Sequence, residues 1–405
     1  MIYLDYAASA PVLPEAAEAA LHFMTAEYAN PSSIHRAAEE SRAVIDCARR
    51  ETAGMLNASP EEIIFTSGGT ESDNLAVFGA NGGKLRHIVT TAIEHEAVLQ
   101  AAKAWLGEPV NAQADVLCAA DGRTVTFLYP DAFGRVGAAD VETAIQGILS
   151  RDPSCAGTEI LVSVMTANNE LGTVEPIAEI GDVCAKCGVL FHTDAVQAFG
   201  HIPLDVKEMH IDLLSASGHK FGAPKGVGFL YASPRAKLKP LIYGGGQERK
   251  KRSGTLNTPG IAGLYEAEKY AQAQMEASGE RIAALRDGFL KTLTENVPGV
   301  AVNGPLAGNA SCLPGHLNVS FSGVESESLL ILLDLHGIAA SAGSACASGA
   351  LEPSHVLMAL PGMTEMRANS SLRFTFGEQT TREEAEEAAR IVAEDVKSLR
   401  EMSGH

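Results

Sequence analysis

"PEEIIFTSGGTESDNLAVFGA", residues 60–80, reads as a short apolar strand, a glycine turn and a helix. The same scheme returns in residues 84–102 ("KLRHIVTTAIEHEAVLQAA"), 158–173 ("TEILVSVMTANNELGT"), 187–200 ("CGVLFHTDAVQAFG") and 211–233 ("IDLLSASGHKFGAPKGVGFLYAS"). Short apolar strands that alternate with helical patterns predict an α/β domain with a largely parallel sheet. In open sheets of this kind ligands sit beyond the carboxyl ends of the strands, and each polar cluster here falls at such an end.

Past "GGGQERKKRSGTLNTPGI" the texture changes to long helices with a few strands, which places a boundary near residue 258 and an α+β lobe after it. The closing helix carries Ala385, Ala388, Val392, Val396 and Leu399 as one apolar stripe. A chain of 405 residues with a formal charge of −19 is large enough for two or three domains, and its field opposes non-specific binding to nucleic acid or anionic membrane. No basic-then-apolar leader or membrane-length apolar run is present, so the chain reads as cytosolic, with its 7 cysteines reduced.

Several clusters suggest chemistry. Lys220, among Ser217, Gly218, His219 and Gly222, has small polar neighbours that leave room for a Schiff base on its amine. A solvated loop lysine is the plain alternative. Asp194 ends the strand "VLFHTDA", where a buried carboxylate needs a cationic partner such as a pyridinium nitrogen; an N-cap or a structural ion pair is the bland reading. Thr70, after Gly68 and Gly69 at a helix mouth, suits a phosphate held by backbone N–H groups and the helix dipole. The Walker and GxGxxG patterns are absent. His95 is placed to stack on a ring in the same crevice and to move protons. Cys184 and Cys187 form a CxxC, but within a helical pattern and without a second pair, so helix packing is favoured and no metal site is expected.

Together the motifs make a resemblance. "YLDYAASAPV", "NPSSIHRAA", "TSGGTESDN", "EHEAVL", "NNELGT", "HTDAVQAFG", "SGHKFGAPKGVG", "RSGTLN", "SAGSACASG" and "LRFTFG" occur in the order seen in the pyridoxal-phosphate-dependent cysteine desulfurases of the NifS/IscS type, class V aminotransferases of fold-type I. The resemblance implies a large domain over residues 12–258 with a mostly parallel seven-stranded sheet. It assigns residues 1–11 and 259–405 to a smaller α+β domain carrying a catalytic-cysteine loop at about 338–362. It further implies that Lys220 holds pyridoxal phosphate, Asp194 pairs with the ring nitrogen, Gln197 bonds the ring hydroxyl and His95 stacks on the ring. Gly69, Thr70, Ser217 and His219 would hold the phosphate, with Thr255 reaching the cofactor of the other subunit of a homodimer. Asn169 and Arg373 would take the carboxylate of L-cysteine.

Cys346, in "IAASAGSACASGAL" (338–351), would be the nucleophile that receives sulfur, leaving L-alanine and a persulfide for an acceptor such as an iron–sulfur scaffold protein. Gly, Ala and Ser around it give a mobile carrier its freedom. The small-residue setting of Cys346 resembles the NifS/IscS branch rather than the group with an RxGHxC context. Ala38 departs from the family, which often has Gly there. A selenocysteine lyase or another class V aminotransferase would use the same anchors without Cys346. A sulfur or metal carrier built on the CxxC is the non-enzymatic alternative. The basic run Arg249 to Arg252 reads equally as a solvated face.

Overall fold

A computed structural model describes residues 1–113, 115–307, 311–343 and 353–403. In chain order the strands are β1 (Ile2–Tyr3), β2 (Ile63–Thr66), β3 (His87–Thr91), β4 (Asn111–Gln113), β5 (Val116–Cys118), β6 (Thr124–Leu128), β7 (Ile160–Ser163), β8 (Leu190–Asp194), β9 (Leu213–Ser217), β10 (Gly228–Ala232), β11 (Val300–Asn303), β12 (His316–Phe321), β13 (Ile338–Ala339) and β14 (Ser371–Thr375). The helices used below are α1 (Pro14–Thr25), α2 (Glu39–Met55), α3 (Gly69–Gly83), α4 (Glu96–Leu106), α5 (Ala138–Arg151), α6 (Ile177–Cys187), α7 (Thr258–Asn296), α8 (Ser326–Leu335) and, at the C-terminus, α9 (Arg382–Ser403).

The main sheet runs β2-β10-β9-β8-β7-β3-β6-β5-β4. From β9 through β8, β7 and β3 to β6 the pairing is parallel, and β10 enters antiparallel between β2 and β9. The expected mostly parallel sheet of seven strands is thus present as β2, β3 and β6–β10, and among the described residues two short antiparallel strands, β5 and β4, extend it to nine beyond β6. Helices cover both faces, so β8 and β9 are buried at every position, their polar His192, Thr193 and Ser215 included.

A second, antiparallel sheet, β11-β12-β14, packs its Leu317, Val319, Phe321, Leu372 and Phe374 against α7, α8 and α9. Ala385, Ala388, Val392 and Val396 of α9 are buried there. Helix α7 is shared: Ile261, Leu264 and Ala267 lie in the core of the main sheet, whereas Ile282, Phe289 and Leu293 lie in that of the small one. The chain start joins the small sheet's side, with Ile2 and Tyr3 paired parallel to Ile338 and Ala339 and Asp5 bridged to Thr375. Ser341 bridges Arg373 in turn. Residues 5, 341 and 373 thus meet where the two sheets face each other. Among the described residues no helix is long and apolar enough to cross a membrane.

Candidate active site

The carboxyl ends of β2, β3, β7, β8 and β9 deliver Gly69, His95, Asn169, Asp194 and Lys220 to one crevice. Strand β10 closes beside it. Gly228 of β10 pairs with both Thr66 and Ser217, and a Cβ on it would lie 2.4 Å from the Ala216 carbonyl oxygen and 2.7 Å from Gly68 Cα, so only glycine lets the three strands close up.

The loop after β2 turns directly into α3. A Cβ on Gly69 would lie 2.6 Å from Val196 Cγ2 and 3.7 Å from Ser217 Cβ, and one on Gly68 3.3 Å from Ser217 Oγ. The glycines therefore press the α3 N-terminus, with its exposed Thr70, against Ser217 and the 194–197 turn. Uncapped N–H groups, the positive end of the helix dipole and a serine hydroxyl form the donor set a phosphate needs. His219, half-buried beside it, shares a 3.2 Å hydrogen bond between Nδ1 and Ser9 Oγ, and burial together with Lys220 and Lys225 pushes its pKa down to about 4.

Asp194 is 4% exposed and accepts a 2.8 Å hydrogen bond from the Val196 N–H at Oδ1. Burial pushes its carboxyl above the usual range, partly offset by His95, that N–H group and Lys220. Behind it Asp73 is also pushed up by burial and by Asp194. The neighbouring His192 is no cation: burial takes it down to about 3, and it bonds Ser163 and Ser215. A buried acid whose ionised form is disfavoured by burial suits the ring N–H of a pyridinium, which restores that form.

Lys220 Nζ donates to the carbonyls of Ala7 at 2.6 Å and Ala8 at 3.1 Å, and Gln197 Nε2 donates to Ala7 at 3.0 Å. The N-terminal segment thereby lines the crevice. His95 is the N-cap of α4, its Nδ1 accepting the Ala97 N–H at 3.1 Å, which leaves Nε2 as its other polar atom. The structure brings Lys220, Asp194, Gln197, Gly69, Ser217, His219 and His95 to the strand ends as expected from the sequence.

Arg373 rises from the small sheet, 2% exposed, with Nη1 donating to the Asn169 carbonyl at 3.0 Å and Nη2 to Asp5 Oδ1 at 2.7 Å. Its Nε and the buried Asn169 Oδ1 make no hydrogen bond among the described residues, so donor and acceptor capacity remains at the point where the two bodies meet. Asp5 completes this polar wall, and the fully buried Glu170 follows Asn169 with its carboxyl on Ser354; neither carries a local sequence signal. Thr255 is exposed, and Cys346 lies outside the described residues.

The basic run is anchored in part: Arg249 and Lys250 are exposed, Lys251 and Arg252 half-buried. Arg249 donates to the Glu61 and Ile63 carbonyls at 2.7 Å each, and Arg252 pairs with Glu71 at 2.8 Å. Cys184 is buried in α6, with its thiol pushed up by burial. Among the described residues, His87, Asp152 and Cys155 gather ligand-type atoms within 4.8 Å of one another, but Asp152 already pairs with Arg86 at 2.5 Å.

Residues 2–387 match the profile of the aminotransferase class-V family. The chain belongs to that family. Members of this class V group are pyridoxal-phosphate-dependent. The chain is 44% identical over 405 residues to a cysteine desulfurase IscS of Methanosarcina thermophila, covering 99% of this chain and 93% of that one. Among solved structures it is similar to a NifS-like protein, with a TM-score of 0.83 at 32% identity over 98% of this chain and 99% of that one. It is also similar to SspA in complex with cysteine, with a TM-score of 0.76 at 34% identity over 94% and 100%. Within the class V aminotransferases it therefore groups with the cysteine desulfurases.

Proposed function

We propose that the chain is a pyridoxal-phosphate-dependent desulfurase that moves the sulfur of L-cysteine to Cys346 and releases L-alanine. The observation that carries this reading is the convergence of a lysine amine, a buried acid and a glycine-built helix N-terminus at the ends of β9, β8 and β2, together with Asn169 after β7 and Arg373, which reaches Asn169 from the small sheet.

Lys220 would hold the cofactor, Asp194 its ring nitrogen, Gln197 its ring hydroxyl, and Gly69, Thr70, Ser217 and His219 its phosphate, with Thr255 serving the other subunit of a homodimer. When bound, pyridoxal phosphate supplies an electron sink beside the substrate α-carbon. Arg373 and Asn169 bind and orient the substrate carboxylate, for which a guanidinium fork is well shaped. The Lys220 amine takes the α-proton, and His95 carries the proton that completes the alanine methyl group. The Cys346 thiolate attacks the substrate sulfur: an S–S bond forms, the Cβ–S bond breaks, and its electron pair is taken up with a proton at carbon. L-cysteine and one thiol thus become L-alanine and one persulfide, with no outside oxidant. The persulfide then passes to an acceptor such as an iron–sulfur scaffold protein, in the cytoplasm.

Reconstitution tests the reading. The wild type with pyridoxal phosphate is expected to gain a visible absorption band that borohydride fixes covalently at Lys220, and the band should change on adding L-cysteine. A band that survives unchanged in Lys220→Ala would overturn it.

A further inference from the structure

The chain on either side of residues 344–352 returns to one carboxyl group. Glu170 follows Asn169 in the turn after β7, and its side chain is fully buried. That turn is held from within, because the Glu170 and Leu171 N–H groups both donate to Asn168 Oδ1 at 2.9 Å. Glu170 Oε2 accepts a 2.5 Å hydrogen bond from Ser354 Oγ. A Cβ on Gly343 would stand 3.4 Å from the same Oε2 and 3.3 Å from Ser354 Cβ, so Gly343 and Ser354 meet at that oxygen.

Both flanks are secured further. Ser341 Oγ donates to the Gly343 carbonyl at 3.0 Å while its backbone pairs with Arg373. His355 Nε2 donates to the carbonyl of Glu94 at 3.0 Å, next to His95. The other Glu170 oxygen, Oε1, is buried and makes no hydrogen bond among the described residues. A buried carboxyl is costly to keep, and an apolar residue would serve a merely structural turn at lower cost. What the carboxyl does there is join the wall that holds Asn169 to the two points bracketing Cys346 in the sequence.

We propose that Glu170 is a positioning residue for the sulfur-transfer step: through Ser354 it fixes the two ends of the stretch that carries Cys346, and so sets the rate at which sulfur is taken without contributing to cysteine binding. This inference rests on Cys346 being the acceptor.

Holoenzyme variants Glu170→Ala, Ser354→Ala, the double variant and Glu170→Gln test it, read by single-turnover alanine formation and by the cysteine concentration that half-saturates the absorbance change. Glu170→Ala and Ser354→Ala should each slow alanine formation about ten- to a hundredfold, the size of one hydrogen bond to a carboxylate. Half-saturation should stay within about twofold of wild type, since the cysteine site is untouched. The double variant should be no slower than the slower single one, and Glu170→Gln, which keeps an acceptor for Ser354, should recover to within about threefold. Unchanged alanine formation in both single variants, additive losses, or a loss confined to half-saturation would overturn the proposal; the last would make Glu170 a support of Asn169 alone. Should Glu170→Ala not fold, Ser354→Ala and Glu170→Gln carry the same test. A wild type that forms no alanine, or a Cys346→Ala variant that forms it at the full rate, would instead overturn the reading of function.

Discussion

Glu248→Leu is expected to destabilise the main body by about 3–5 kcal/mol, the cost of stranding one buried charge. Glu248 is 1% exposed at its side chain and accepts from Arg49 Nη1 at 2.9 Å, Arg49 Nη2 at 2.6 Å and the Phe65 N–H at 2.9 Å. Without it the Arg49 guanidinium keeps the Ile63 carbonyl and the face of Phe65, but no anion. The same pair pins Glu248, Arg249 and Lys250, whose φ values of 46°, 54° and 66° lie in the left-handed region. Their strain of about 1–3 kcal/mol per residue persists only while the surroundings impose it. With about 2.1 cal/mol/K of unfolding entropy per residue over roughly 260 residues, the loss lowers Tm by about 5–9 °C in calorimetry of the cofactor-saturated protein. The double variant Arg49→Met/Glu248→Leu, which removes both charges, should recover most of that loss. A fall below about 2 °C for the single variant, or a double variant worse than either single one, would refute the reasoning.

Three further outcomes follow from the crevice and its surroundings. Gly69→Ala places a Cβ where Val196 Cγ2 would be 2.6 Å away, so cofactor affinity should fall about tenfold by fluorescence titration and return in Gly69→Ala/Val196→Ala, which frees that space; no change would remove Gly69 from the phosphate cradle. Asp194→Asn keeps an acceptor for the Val196 N–H but loses the charge, so cofactor dissociation should strengthen about ten- to a hundredfold with a shifted absorption band, and unaltered retention would show that Asp194 does not face the ring nitrogen. Glu175 has its carboxyl pushed up to about 8 by burial, so the folded state binds the extra proton and stability should decline as pH rises from about 4.5 toward 8; Glu175→Gln, which still accepts the Val136 N–H, should flatten that decline in pH-dependent denaturant melts, and an unchanged slope would contradict the assignment.

The parallel part of the sheet was legible because its strands are buried on both faces and each breaks off at a polar or glycine turn, a signal contained within about 20 residues. The strand-end positions of the candidate residues Lys220, Asp194, His95 and Gly69 were legible for the same reason. The hairpin Asn111–Cys118 was not, since strands of three residues carry no periodicity that separates them from a loop. Asp5 and Glu170 escaped notice because their partners, Arg373 and Ser354, are 368 and 184 residues away, and an ion pair or hydrogen bond across such a distance leaves no local pattern. The anchoring of the basic run was hidden in the same way, since Ile63 and Glu71, which hold Arg249 and Arg252, lie far off in the sequence, although Arg249 stays exposed.

The most direct test of the account is product analysis. Purified protein saturated with pyridoxal phosphate is given L-cysteine and a thiol reductant, and alanine and sulfide are quantified for wild type and Cys346→Ala. Equal amounts of alanine and sulfide from the wild type, both lost in the variant, are the predicted result. Equal rates from the two proteins, or alanine from neither, would contradict the claim that Cys346 takes the sulfur of cysteine.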